Sequence, residues 1–151
     1  MEVHLFALKL ALLAFWGLWF SVVFLTNLSD GCRLLGILPT TWKFASQNFQ
    51  PVAKATGRYL AGAWLPAFLF SCVILWQLLA IILYGWAFVT SLRKGDIDEL
   101  SVNAAFACGL GLWAAFMIAD EIFKQYDTQR SHVLFFGAQL LTLLALHALP
   151  S

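Results

Sequence analysis

Apolar residues fall in four long runs separated by polar clusters, and each run is long enough to cross a bilayer as a helix. A hydrocarbon core about 30 Å thick takes about 20 helical residues. The pattern predicts spans over 5–26, 62–91, 102–123 and 132–149, all within a single transmembrane domain covering 1–151. Asn27, Asp30 and Gly31 read as the stop of the first helix. Arg93, Lys94 and Gly95 close the second with the basic residues and glycine expected at a carboxyl end. Trp64 and Trp86 are separated by about 33 Å of helix, the spacing of two interfacial aromatic belts. Asp96, Asp98 and Glu99 form an acidic turn short enough to require an antiparallel return. The fold class is therefore all-α, a polytopic membrane four-helix bundle, and an even number of spans puts both termini on one side.

The segment 27–58 is the one sizeable stretch outside the runs. A short interfacial helix is expected over 41–50, capped by Thr40 or Thr41 and ended by Pro51. Trp42, Ala45 and Phe49 would share its apolar face, with Lys43, Ser46, Gln47 and Gln50 opposite. In the third span Ala107, Gly111, Ala115 and Ala119 recur at four-residue spacing, a ridge of small residues on which a neighbouring helix can pack closely.

Composition supports the same reading. Hydrophobic residues make up 62% of the chain and charged residues 11%, too few polar groups to cover a water-soluble domain of 151 residues. A net charge of +1 without a basic run gives no reason to expect nucleic acid as a partner. The lipid bilayer is the expected partner, together with other integral membrane subunits. Cys32, Cys72 and Cys108 lack metal-ligand or disulfide-framework spacing, so no metal is expected. The first run is long, carries two tryptophans and lacks a clear cleavage site, so it reads as a retained span rather than a signal peptide. Arg33, Lys43, Lys54, Arg58, Lys124 and Arg130 fall on one side, and Lys9, Arg93 and Lys94 on the other. Taken alone, the positive-inside rule puts the termini outside. Lys43 and Lys54 in an interfacial helix weaken that vote, and orientation stays open.

Few residues offer chemistry. Asp120 and Glu121 near the end of the third span are candidates for a proton or ion site, because a carboxylate near hydrocarbon is costly to retain. The competing structural reading pairs Asp120 with Lys124 one turn later. His4 and His147 fall on the same membrane side and are candidate axial ligands of a b-type haem, whereas His132 lies at the opposite side. Lys9 is expected to snorkel to the headgroups. Gln77 and Gln139, inside the second and fourth spans, are expected to hydrogen-bond between helices. Phosphate-loop, nucleophile-elbow and metalloprotease motifs are missing, so no catalytic residue is assigned and an enzyme is not expected.

The stretch Trp16 to Asp30, WGLWFSVVFLTNLSD, runs an apolar span into an Asn-Leu-Ser-Asp turn. A loop of about thirty residues, a Trp-rich second span, a charged turn and the stretch from Gly109 to Glu121 follow in order. This layout resembles a bacterial family of predicted small integral membrane proteins, a domain of unknown function with four transmembrane helices. The resemblance implies that fold and a bacterial inner membrane, with no activity to transfer. The leading expectation is an accessory, non-catalytic subunit or stabilising partner of a larger membrane complex, of which an energy-converting one is an example. The alternatives are a small ion-coupled transporter acting as a homo-oligomer, and a haem-bearing electron-transfer subunit.

Overall fold

The computed structural model describes residues 2–57, 59, 62 and 64–150. Arg58, counted above among the basic residues, lies outside the described residues, as do positions 1, 60, 61, 63 and 151. The described residues form helices α1 (Glu2–Leu34), α2 (Phe49–Gly57), α3 (Trp64–Lys94), α4 (Glu99–Phe123) and α5 (Tyr126–Ala148). All but α2 are long and apolar enough to cross a membrane, and the chain is an all-α multi-pass membrane protein.

The first span does not stop at its polar cluster. α1 runs on to Leu34, and Asn27 and Asp30 are buried at 2% and 3% exposure. A polar side chain ends a helix only when it satisfies backbone groups locally. Here both find partners on other segments, so the helical backbone continues. Asn27 Nδ2 donates to Gln77 Oε1 of α3 at 3.1 Å and its Oδ1 accepts from Asn48 Nδ2 at 2.9 Å. Asp30 Oδ2 accepts from the backbone N–H of Phe49 at 3.0 Å, placing a carboxylate on the first amide of α2. Gly36, at φ 73°, then turns the chain out of α1 in the left-handed conformation that glycine adopts without strain.

The loop helix forms later than expected, over Phe49–Gly57 rather than 41–50. Pro51 lies in its first turn instead of ending it, because proline has no N–H to lose there and its fixed φ suits helix entry. The expected segment is built of turns, with Gln47 at φ 62° and Trp42 and Phe44 exposed. Asp30→Ala is expected to leave the Phe49 N–H without its acceptor and to cost about 1–2 kcal/mol. Limited proteolysis should then cut within 35–48 faster than in the parent protein; equal rates would assign the anchoring to Asn27 alone.

α3 closes at Gly95, also at φ 73°, whose N–H donates to Ser91 O at 3.0 Å. Asp98 then caps α4, accepting from Ser101 N at 3.2 Å and Ser101 Oγ at 2.6 Å. The Ser101 side-chain and backbone hydrogen bonds hold the Asp98 carboxyl below its usual range. This cap therefore operates above the ordinary carboxylate range and is lost as the pH falls through the lowered value. Lys124 and Gln125 alone connect α4 to α5.

α1 packs on α3, α3 on α4 and α4 on α5, while α2 docks against α3. Long side chains close the ring between α1 and α5: Trp16 Nε1 donates to Thr142 Oγ1 at 3.2 Å, and Trp19 meets Phe135 with ring centroids 5.1 Å apart. Leu13, Trp16, Phe20, Tyr84, Phe106, Leu112 and Trp113 fill the centre. Leu18, Leu75, Ile82, Ile118 and Leu141 face outward, as expected of helices solvated by lipid tails.

The expected small-residue ridge is not one seam. A four-residue step advances about 40° around a helix, so three steps sweep about 120°. Ala107 is exposed, Ala115 and Ala119 are half-buried, and Gly111 faces Trp76, with 3.3 Å between its would-be Cβ and Cζ2. The glycine of α4 that meets α5 is Gly109, where an added Cβ would lie 2.8 Å from the Gln139 amide carbon.

Candidate functional site

The buried polar side chains gather at distinct levels of the bundle. At the centre, Gln139 Nε2 donates to Tyr84 Oη at 2.7 Å, tying α5 to α3. Gln77 ties α3 to α1. Both glutamines hydrogen-bond between helices, as their depth in apolar spans predicted. Gln139 has room to reach Tyr84 only because Gly109 carries no side chain beside it. The indole N–H groups of Trp19 and Trp113 and Gln139 Oε1 are buried without a partner among the described residues.

At the end of the bundle where α4 turns into α5, Asp120 is buried at 7% exposure. Its Oδ1 accepts from Thr128 Oγ1 at 2.8 Å and its Oδ2 lies 2.5 Å from His132 Nδ1. The imidazole stacks on Phe116, with centroids 4.8 Å apart, and lies 6.1 Å from Trp113 at an interplanar angle of 27°. Thr128 and His132 are four residues apart on α5 and so share the face turned toward α4. An imidazole so placed donates Nδ1–H to the carboxylate whether or not Nε2 also carries a proton.

Lys124 is not the partner of Asp120. An ion pair four residues apart requires the helix to continue, but Lys124 is the left-handed cap of α4 at φ 54°. Its backbone, not its ammonium, returns to α4, through an N–H bond to the Glu121 carbonyl. Glu121 is exposed and stands outside the cluster. The signal available in the sequence was positional: an antiparallel hairpin turning at 124–125 sets Thr128 and His132 opposite Asp120.

At the other end, Lys9 is buried at 3% exposure and its Nζ donates to Leu149 O at 2.8 Å. The ammonium thus ends on the carboxyl terminus of α5, where the helix dipole favours a cation, rather than reaching freely into the headgroups. His147 Nε2 is hydrogen-bonded to Asn103 Oδ1 at 2.8 Å, and His4 is exposed at the start of α1. The Nε2 of His147 is therefore engaged by an amide of α4. Among the described residues no group of three or more His, Cys, Asp or Glu side chains could hold a metal ion. No family model matches the chain, and no curated protein or solved structure matches it either.

Proposed function

We propose that this chain is a non-catalytic subunit that stabilises a larger integral membrane assembly, of which an energy-converting complex is one example. The resemblance noted in the sequence favours a bacterial inner membrane as its location. The observation that supports this reading is how unevenly the bundle uses its helices. α5 buries only 11% of its most apolar stretch inside the bundle, against 33% for α4. Val133, Leu134, Leu141 and Leu144 of α5 are left facing outward, while the inward polar groups Gln139 and His132 bond to α3 and α4. The polar side chains thus tie α5 to α3 and α4, and its outer apolar face is left for lipid tails or for the helix of another subunit. Extraction in mild detergent should recover the protein in an assembly much larger than 16.8 kDa plus its micelle. A monodisperse monomer would overturn the proposal.

A second reading, a proton-coupled carrier formed by several copies, draws support from the Asp120–His132 pair. A buried carboxylate bonded to an imidazole is the kind of group through which membrane proteins relay protons. The exchange Asp120→Asn separates the two readings.

A further inference from the structure

A cleft of about 610 Å³ opens between α2 and the α4–α5 turn, lined by Gln50, Pro51 and Lys54 on one wall and Lys124, Gln125, Tyr126 and Asp127 on the other. Its size falls within the range of about 300–1,000 Å³ typical of small-molecule sites. Lys124 and Gln125 join two helices long enough to cross a bilayer, so the cleft opens where a membrane presents its headgroups.

The charges in the cleft are unspent. Among the described residues only Arg33 and His132 lie within 4.0 Å of a carboxylate, those of Asp30 and Asp120 respectively. Lys54, Lys124 and Asp127, none of them in such a pair, thus bring two cations and one anion to the lining of the same cleft, and Gln50 and Gln125 add amides. Two cations suit the oxygens of a phosphodiester. A purely anionic headgroup would meet Asp127, whereas a headgroup that also carries a primary ammonium would use it. A choline group has no N–H to donate to that carboxylate. Ile118 and Ile122, in the last two turns of α4 before Lys124, are 62% and 56% exposed and give that end of the helix an apolar surface for lipid tails.

We infer that this cleft binds the phosphoethanolamine headgroup of a membrane phospholipid, with Lys54 and Lys124 on the phosphate and Asp127 on the ammonium. The inference rests on the membrane-spanning fold and not on the subunit reading, which tests of lipid binding leave untouched.

The test is native mass spectrometry of the full chain in mild detergent, titrated with phosphatidylethanolamine, phosphatidylcholine and phosphatidylglycerol of identical acyl chains. Phosphatidylethanolamine should be retained preferentially. Lys54→Gln and Lys124→Gln should each lower its retention about fivefold. Asp127→Asn should remove the preference over phosphatidylcholine. These residues line an open cleft, and circular dichroism of each variant checks that the helices persist. Equal retention of the three lipids, preference for phosphatidylglycerol, or an unchanged preference in Asp127→Asn would each overturn the inference. Soluble O-phosphoethanolamine separates the two sources of the headgroup: binding as tight as that of the lipid would overturn the assignment to a membrane lipid, and much weaker binding would support it.

Discussion

Gly109→Leu is expected to push α4 away from α5 and to lower stability by about 3 kcal/mol, the upper end of what overpacking costs. The reason is local. Even a bare Cβ at this position would overlap the Gln139 amide, with Cδ and Oε1 both 2.8 Å away. The glutamine cannot simply swing aside, because it is fully buried and its Nε2 is held by Tyr84 Oη. Displacing it leaves an amide and a phenol unpaired in the middle of a bilayer-spanning bundle. Tyr84→Phe isolates the hydrogen bond from the steric clash. Interhelical bonds in membrane proteins contribute about 0.6 kcal/mol on average, so Tyr84→Phe should cost far less than Gly109→Leu. Gly137→Ala provides the control, since nothing lies within 4 Å of its would-be Cβ and the exchange removes a flexible residue from a helix. Unfolding in mixed micelles, followed by helical circular dichroism, reads all three. If Gly109→Leu cost no more than Gly137→Ala, the close α4–α5 passage would not contribute to the fold.

Hydropathy alone was enough to find the four spans, because a bilayer leaves a helix no alternative to a long apolar run. The glutamines inside those runs were also legible: Gln77 and Gln139 had nowhere to turn except to other helices. Residues that end or continue a helix were less legible, because their effect depends on the path of the backbone and on which atoms take up their polar groups. Asn27 and Asp30 have the composition of a helix stop, yet Gln77, Asn48 and the Phe49 amide take up their polar atoms and α1 continues. Pro51 ends a helix or begins one according to which side the chain is folded on, and here it begins α2. Asp120 and Lys124 have ideal spacing for an ion pair only if the helix persists, and the left-handed turn at Lys124 decides against it. The ammonium of Lys9 had a predictable direction but not a predictable acceptor, which the last turn of α5 supplies.

Asp120→Ala is expected to be the second costly exchange, at about 2–3 kcal/mol. Removing one member of a buried pair costs about 3–5 kcal/mol in a dry interior. The His132 side chain is 22% exposed, so water and headgroups reach the imidazole that is left behind and reduce the loss. Asp120→Asn is the gentler exchange: its Oδ1 still accepts from the Thr128 hydroxyl, and its amide can donate to Nδ1 in the other imidazole tautomer. His132→Phe keeps an aromatic ring stacked on Phe116 while removing both ring nitrogens. Combining Asp120→Leu with His132→Phe should therefore cost much less than the sum of the single exchanges, since neither polar group is left alone. Simple additivity would mean that the two side chains do not act as a pair. The same variants bear on function. A relay of protons needs a group that ionises, which asparagine does not, so a carrier would lose proton-coupled flux in Asp120→Asn while retaining its fold. A subunit that uses the pair only to join α4 to α5 would keep its assembly and its partners in Asp120→Asn and lose them in Asp120→Ala. The two exchanges thus measure separately what the carboxylate does as a charge and what it does as a tie.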